Sequence, residues 1–285
     1  MALAPIALLP EDLKETLKHS PLLPIYTKIF TSLGRAVGEG IYRIEGGPLR
    51  GKYLFVNPAA VRAYLLGNYE PEVTRAVLDY CKPGMTVFDV GAHYGYFSLL
   101  MAQAIGPDGR CVAFEPMSAN YSHIQQSIQK NGMSNLHVEQ IALGNVVGAL
   151  PFRLNENALM GRLEHLVPTD DLADFNDFED VEVQSLDSYI LNNDIKELGF
   201  IKVDIEGAET EFLEGAVATI RDYQPVLLIE VHTFMPPETH ARPFVMALKN
   251  YGYQVLDIVT RRPISPGDFT GGHVLAISLD SSIHG

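Results

Sequence analysis

Four carboxylates and one imidazole lie close together in two short stretches of the chain. Asp204 and Glu206 bracket the end of the apolar run "FIKVDI", and Glu209 follows one turn later in "EGAE". Glu230 and His232, one residue apart, close the run "PVLLIEVH". Side chains two positions apart on a strand face the same side, so these two would point together. An oxygen-rich set with one imidazole suits Mg²⁺, which makes Asp204, Glu230 and His232 candidate metal ligands. Without a metal, the same residues read as a general base, His232, oriented by Asp204 or Glu230. Lys202 sits two residues before Asp204 and would pair with it. His240 and His273 have no partner that spacing identifies.

A second set of residues is suited to binding. In "VFDVGAHYGYFSLL" an aspartate, Asp89, ends an apolar run, and Gly91 and Gly95 flank a turn before helical spacing begins. A dinucleotide site would show G-x-G-x-x-G and bring bare backbone against a pyrophosphate. Here the third glycine is missing, and Asp89 would repel a diphosphate. A carboxylate tolerates a cationic or zwitterionic ligand, and the N–H groups of the following helix suit that ligand's own carboxylate. Glu115 closes the next apolar run, "RCVAFE", where an acid can accept from both ribose hydroxyls. An amino acid joined to a nucleoside meets both demands, and S-adenosylmethionine is such a ligand.

These residues need a scaffold that brings strand ends together. From Thr86 onward the chain alternates apolar runs with helical spacing: "TVFDV", "RCVAFE", "LHVEQIAL", "FIKVDI", "PVLLIEV", "YQVLDIV" and "HVLAISL" read as strands. "FSLLMAQAI", "NYSHIQQSIQKNG", "AETEFLEGAVATIRDY" and "FVMALKNYG" read as helices. The pattern predicts an α/β fold with a mostly parallel sheet and helices on both faces. Ligands bind such sheets outside the C-terminal strand ends, where Asp89, Glu115, Asp204 and Glu230 should emerge. "TDDLADFNDFEDVE", with seven carboxylates between Asp170 and Glu182, breaks the rhythm and reads as a repelling, solvated loop or as an insertion forming part of a substrate lid. Upstream, "IYRIEGGPLRGKYLFVN" predicts two strands about a Gly-Gly-Pro turn, and four prolines break the first 40 residues into short pieces.

Composition narrows the partners. The 285 residues are 47% apolar, with a formal charge of −14 and a pI near 5.0. Nucleic-acid surfaces are basic, so nucleic acid is excluded as a partner. No window approaches the roughly 18 apolar residues of a spanning helix. "MALAPIALLP" lacks the basic start of a secretion signal. Two cysteines, Cys81 and Cys111, make neither a disulfide framework nor a CxxC metal site, and point to a cytoplasmic setting.

Taken in order, "FDVGAHYGYFSLL", "VAFEPMSANYSHIQQSIQKNG", "IALGN", "SLDSY" and "IKVDIEGAETEFLEGA" resemble the motifs of the FkbM family of S-adenosylmethionine-dependent methyltransferases. The resemblance implies the seven-stranded, Rossmann-like class I methyltransferase fold, with strand order 3-2-1-4-5-7-6 and the last strand antiparallel. It divides the chain into an N-terminal cap, residues 1–64, and a cofactor-binding domain, residues 65–285. It places Asp89, Gly91, His93 and Gly95 at the methionine half, although His93 stands where asparagine is common. Glu115 would hold the ribose, Ala142 and Leu143 would lie near adenine, and Asp204 would close the site. "LLGNYEP" resembles the family's gating segment, making Tyr69 and Glu70 candidate contacts. The implied reaction is methyl transfer to a small molecule, natural product, sugar or peptide. An exocyclic-amine methyltransferase would carry Asn/Asp-Pro-Pro-aromatic after the fourth strand. "DIEGAE" stands there instead, which points to oxygen, as a hydroxyl or a carboxylate. A nicotinamide-dependent oxidoreductase and a non-catalytic nucleoside-binding module are the alternatives on this sheet.

Overall fold

The computed structural model describes residues 38–58, 61–154, 161–163, 177–232 and 236–279. The first 37 residues and positions 170–176 of the acidic run lie outside them. The chain divides into two compact units, residues 1–69 and residues 70–285.

In the first unit, β1 (Gly40–Arg43) and β2 (Tyr53–Val56) pair antiparallel around the Gly-Gly-Pro turn. The short helix α1 (Arg62–Leu66) follows.

The second unit opens with α2 (Pro71–Tyr80), whose proline sits in the first turn, where its missing N–H is harmless. Strand and helix then alternate through β3 (Thr86–Val90), α3 (Tyr96–Ile105), β4 (Arg110–Phe114), α4 (Ser118–Asn131) and β5 (Leu136–Glu139). Next come β6 (Ala142–Leu143), β7 (Gly148–Leu154), β8 (Gly161–Leu163), β9 (Asp177–Gln184) and α5 (Leu186–Asn192). The chain continues through β10 (Phe200–Val203), α6 (Glu209–Glu214), α7 (Val217–Tyr223), β11 (Val226–Val231), α8 (Ala241–Asn250), β12 (Tyr253–Asp257) and β13 (Gly272–Ser278).

Seven strands form one sheet in the order β12-β13-β11-β10-β3-β4-β5. Only β13 runs against its neighbours. Numbered within the sheet this is 3-2-1-4-5-7-6 with the seventh strand reversed, the class I methyltransferase fold. Every residue of β3 and β10 is buried, as expected of central parallel strands covered on both faces. Phe88, Phe114 and Tyr189 meet edge to face between the sheet and α5, at centroid distances of 4.8–5.9 Å.

Three local expectations need correction. "LHVEQIAL" is not one strand: β5 joins the large sheet, while β6 leaves it for a separate four-stranded sheet, β6-β9-β7-β8. The acidic run is not wholly loop, because Asp177–Gln184 is a strand. Val181 and Val183 turn into a small core with Phe152 and Leu154, leaving Asp180 and Glu182 exposed. Period-2 alternation lets one strand carry both an apolar face and a charged face. Finally, "AETEFLEGAVATIRDY" is two helices, broken at Gly215. A β-carbon at Gly215 would come within 1.9 Å of the Gly144 carbonyl oxygen, so this close approach admits only glycine.

Candidate active site

The turn after β3 is held by the protein itself. The amides of Gly91 and Ala92 both donate to the carbonyl of Phe114, at 3.0 and 3.1 Å, and the Gly95 amide donates to Ala92 at 2.7 Å. Gly91 has φ +79°, and a β-carbon there would lie 1.8 Å from the Asp204 carbonyl oxygen. Its bareness thus lets the ends of β3 and β10 meet. Gly95, φ +80°, precedes α3, whose N-terminus has no side-chain cap. His93 also has positive φ, +54°, a conformation that asparagine and histidine tolerate better than most residues.

Asp89 is fully buried and turned inward. Its Oδ2 accepts from Ser98 Oγ at 2.5 Å, and its Oδ1 lies 3.6 Å from Lys202 Nζ. Burial raises its pKa, against the pull of Lys202 and Ser98. Lys202 stands opposite Asp89 in the β3–β10 register and reaches Asp204 Oδ2 at 3.4 Å. Burial alone would lower the lysine's pKa, but the two aspartates hold it above its ordinary value. The ammonium also lies 5.2 Å from the Phe97 ring centroid. Lys202 therefore pairs with Asp204, as expected, and with Asp89 as well.

Glu115, at the end of β4, ties the turn to its neighbour. Its Oε2 accepts from the His93 amide at 2.7 Å, and its Oε1 from the Met117 amide at 3.0 Å. Burial pushes its pKa up to about 7, although these amides pull the other way. A carboxylate has about four acceptor sites, so capacity remains for further donors. Ala142 and Leu143 pair with Val183 and Gln184 of β9 at the edge of the small sheet. Tyr69 belongs to the first unit, where its ring meets Tyr64 edge-on at 4.3 Å. Glu70 begins the second unit as the N-cap residue of α2.

The second group assembles around His232, just after β11. Its Nδ1 is 2.8 Å from Glu209 Oε1. Glu209 is fully buried at the start of α6 and also takes the Gly207 amide at 2.9 Å and His240 Nε2 at 3.0 Å. Burial would raise its pKa, but the bonds from His232 and His240 outweigh that and hold it down to about 2. An ionised carboxylate only accepts, so Nδ1 of His232 carries the proton. Its Nε2 then faces Glu206 Oε2, Asp204 Oδ1 and Glu230 Oε1 at 3.5, 3.7 and 3.9 Å. Burial lowers the pKa of this imidazole, yet Glu209, Glu206 and Asp204 together raise it to about 9.

Asp204, Glu230 and His232, read from the sequence as one site, lie together: one ligand atom from each falls within 4.8 Å of the others. The sequence did not reveal the clasp of two histidines by Glu209, or the partner of His240. It also missed His273, whose Nε2 lies 3.3 Å from Glu230 Oε2 and 3.6 Å from Glu70 Oε2. Glu230 and His273 stand opposite each other in the β11–β13 ladder. That pairing depends on the register of a reversed strand, which sequence spacing does not supply.

A family model described as "Methyltransferase FkbM domain" matches residues 89–255. "Methyltransferase 1" of Beauveria bassiana (strain ARSEF 2860) is 24% identical over 143 residues, 45% of this chain and 57% of that protein. "Protein-L-isoaspartate O-methyltransferase" of Triticum aestivum is 34% identical over 74 residues, 23% of this chain and 32% of that protein. The chain thus spans about half the length of the first relative and a third of the second. Among solved structures, a methyltransferase FkbM from Methylobacillus flagellatus KT is 20% identical, with 77% and 54% of the two chains covered and a TM-score of 0.43. Fibrillarin from Aeropyrum pernix, in complex with S-adenosyl-L-methionine, is 14% identical, with 84% and 83% covered and a TM-score of 0.44. Since the matched family model spans more than half of its length, the chain belongs to the FkbM methyltransferase domain family.

Proposed function

We propose that this protein transfers a methyl group from S-adenosylmethionine to an oxygen, a hydroxyl or a carboxylate, of a small molecule or peptide. The observation that carries the reading is the placement of two groups at one end of the sheet. Asp89, the Gly91–Gly95 turn and Glu115 lie at the ends of β3 and β4, and the carboxylates around His232 lie at and after the ends of β10 and β11. The residues fit the cofactor. The uncapped N-terminus of α3 suits its carboxylate. Glu115 accepts from the His93 and Met117 amides and from Asn120 Nδ2, which leaves it about one acceptor site for a ribose hydroxyl. When bound, the cofactor supplies an electrophilic methyl group carried on a sulfonium.

The chain's own residues prepare the acceptor. Glu209 fixes the tautomer and the direction of His232, leaving Nε2 toward Asp204, Glu206 and Glu230. Three carboxylates gathered on one imidazole nitrogen favour a divalent cation such as Mg²⁺ there, which would lower the pKa of an acceptor hydroxyl. Without a cation, His232 would take the hydroxyl proton itself once deprotonated, so turnover would rise with pH toward its pKa of about 9. Both cysteines are free and buried, in keeping with a reducing, cytoplasmic setting. No helix of the described residues is long and apolar enough to cross a membrane.

Calorimetric titration with S-adenosylhomocysteine, with NAD as control, tests the cofactor. Micromolar binding of the first alone is expected, and binding of NAD alone would overturn the reading. Glu115→Ala should weaken that binding by roughly 1–3 kcal/mol. Turnover lost to EDTA and restored by Mg²⁺ would support the cation. Turnover untouched by EDTA would leave proton removal to His232.

A further inference from the structure

Glu230 faces two ways. Its Oε1 is 3.9 Å from His232 Nε2, and its Oε2 is 3.3 Å from His273 Nε2. Glu70 Oε2 completes a second group at 3.6 Å from the same nitrogen of His273. In each trio, Asp204–Glu230–His232 and Glu70–Glu230–His273, one ligand atom per residue lies within 4.8 Å of the others. The two trios share Glu230, and each adds one imidazole and one further carboxylate.

The spacings are those of loose ion pairs and also match the edges of a coordination shell. A charge-assisted hydrogen bond closes to about 2.7–2.9 Å, as His232 Nδ1 and Glu209 do at 2.8 Å in the same cluster. The Nε2 contacts to carboxylates stay at 3.3–3.9 Å. Ligands bonded at about 2.1 Å to one octahedral or tetrahedral cation stand about 3.0–4.2 Å apart. Glu209 on the far nitrogen of His232 is the outer carboxylate that metal-bound histidines commonly carry.

The backbone bears the same stamp. Among the described residues six non-glycines have positive φ, and two of them, Glu70 (+38°) and Glu206 (+54°), bring carboxylates to this cluster. Non-glycine residues in this conformation collect at functional sites, although Glu70 is also restricted by the following Pro71. Charge agrees as well. Four carboxylates, Glu70, Asp204, Glu206 and Glu230, converge on two imidazole nitrogens. Lys202, 3.4 Å from Asp204, offsets one of those four charges, and divalent cations would offset the rest.

We propose that Glu230 bridges two divalent cations, one held with Asp204 and His232 and the other with Glu70 and His273. The proposal extends the cation reading given above and rests on it. Carboxylates suit Mn²⁺, sets of carboxylates with imidazoles hold manganese pairs in other folds, and two-metal sites place the ions about 3.5–4 Å apart. The second cation would give the acceptor a second point of attachment beside the first.

The test uses the full chain, stripped with EDTA and titrated with Mn²⁺, with free Mn²⁺ followed by electron paramagnetic resonance. Two ions per wild-type chain, with the spectrum of an exchange-coupled pair, are expected. His273→Ala should retain one ion and lose the coupling, His232→Ala should do the same, and Glu230→Ala should abolish the coupling. Circular dichroism and S-adenosylhomocysteine binding check that each variant is folded. The coupling in the wild-type chain is decisive even if a variant fails to fold. One ion per wild-type chain, kept in His273→Ala, would overturn the pair and leave the Asp204–His232 site standing. No bound Mn²⁺ would overturn both cation readings, while S-adenosylhomocysteine binding judges the cofactor separately.

Discussion

Glu209 and Glu115 are both buried carboxylates, and their surroundings drive them in opposite directions. Glu209 meets two imidazoles and one amide, which hold its pKa down to about 2. Glu209→Ala strands two buried imidazoles and should cost roughly 3–5 kcal/mol in urea unfolding. Glu209→Gln, which keeps the shape and one acceptor, should cost less; a loss under about 1 kcal/mol for the alanine variant would refute the clasp. Glu115 meets only amide donors, and burial wins, pushing its pKa from 4.5 to about 7. Between those values the unfolded chain has released a proton that the folded chain retains. Stability therefore falls as pH rises through that window, by on the order of 3 kcal/mol, and levels off above it. Glu115→Gln has no such titration, so the wild type should lose stability relative to this variant from about pH 5 to 7, with a constant difference beyond. Parallel unfolding midpoints across that range would sink the assignment. The place of Glu115 at a strand end was legible because it directly closes an apolar run. Glu209 and His273 were harder to read, since a helix start and a reversed strand deliver them from a distance.

At the scale of elements, strand and helix order was legible where one apolar run makes one strand. It failed where the chain changes sheets. Nothing in "LHVEQIAL" marks the step from β5 to β6, because both halves are apolar and the division is made by which neighbour each finds. In the acidic run, charge hid the alternation of Val181 and Val183 against Glu182. The "SLDSY" motif has a similar tertiary meaning. Asp187 reaches across to the N-terminus of α7, where its carboxylate accepts the Ala218 amide at 2.9 Å and the Thr219 amide and hydroxyl at 2.7 and 2.6 Å. It caps a helix far along the chain, as a local Ser or Asp would. Asp187→Ala should lower unfolding stability by about 0.5–2 kcal/mol and leave S-adenosylhomocysteine affinity unchanged. A selective loss of affinity at wild-type stability would place Asp187 in the binding site instead.

At the scale of the molecule, residues 70–285 contain the whole seven-stranded sheet, the small sheet and both groups of candidate site residues except Tyr69. The matched family residues, 89–255, fall inside this unit. A unit with its own buried core can fold without its neighbour, and here the core runs from Phe88 to Ala276. Residues 70–285 expressed alone should therefore melt cooperatively and bind S-adenosylhomocysteine within about tenfold of the full chain, a difference of about 1.4 kcal/mol. The resemblance of "LLGNYEP" to a gating segment makes the opposite expectation for Tyr69. The single variant Tyr69→Ala in the full chain separates the two. If the isolated unit and the variant lose affinity alike, by more than tenfold, Tyr69 is a cofactor contact and the functional boundary lies before it. If the isolated unit alone loses binding, residues 1–68 support the site by means other than that ring. Retained affinity in both confines cofactor binding to residues 70–285.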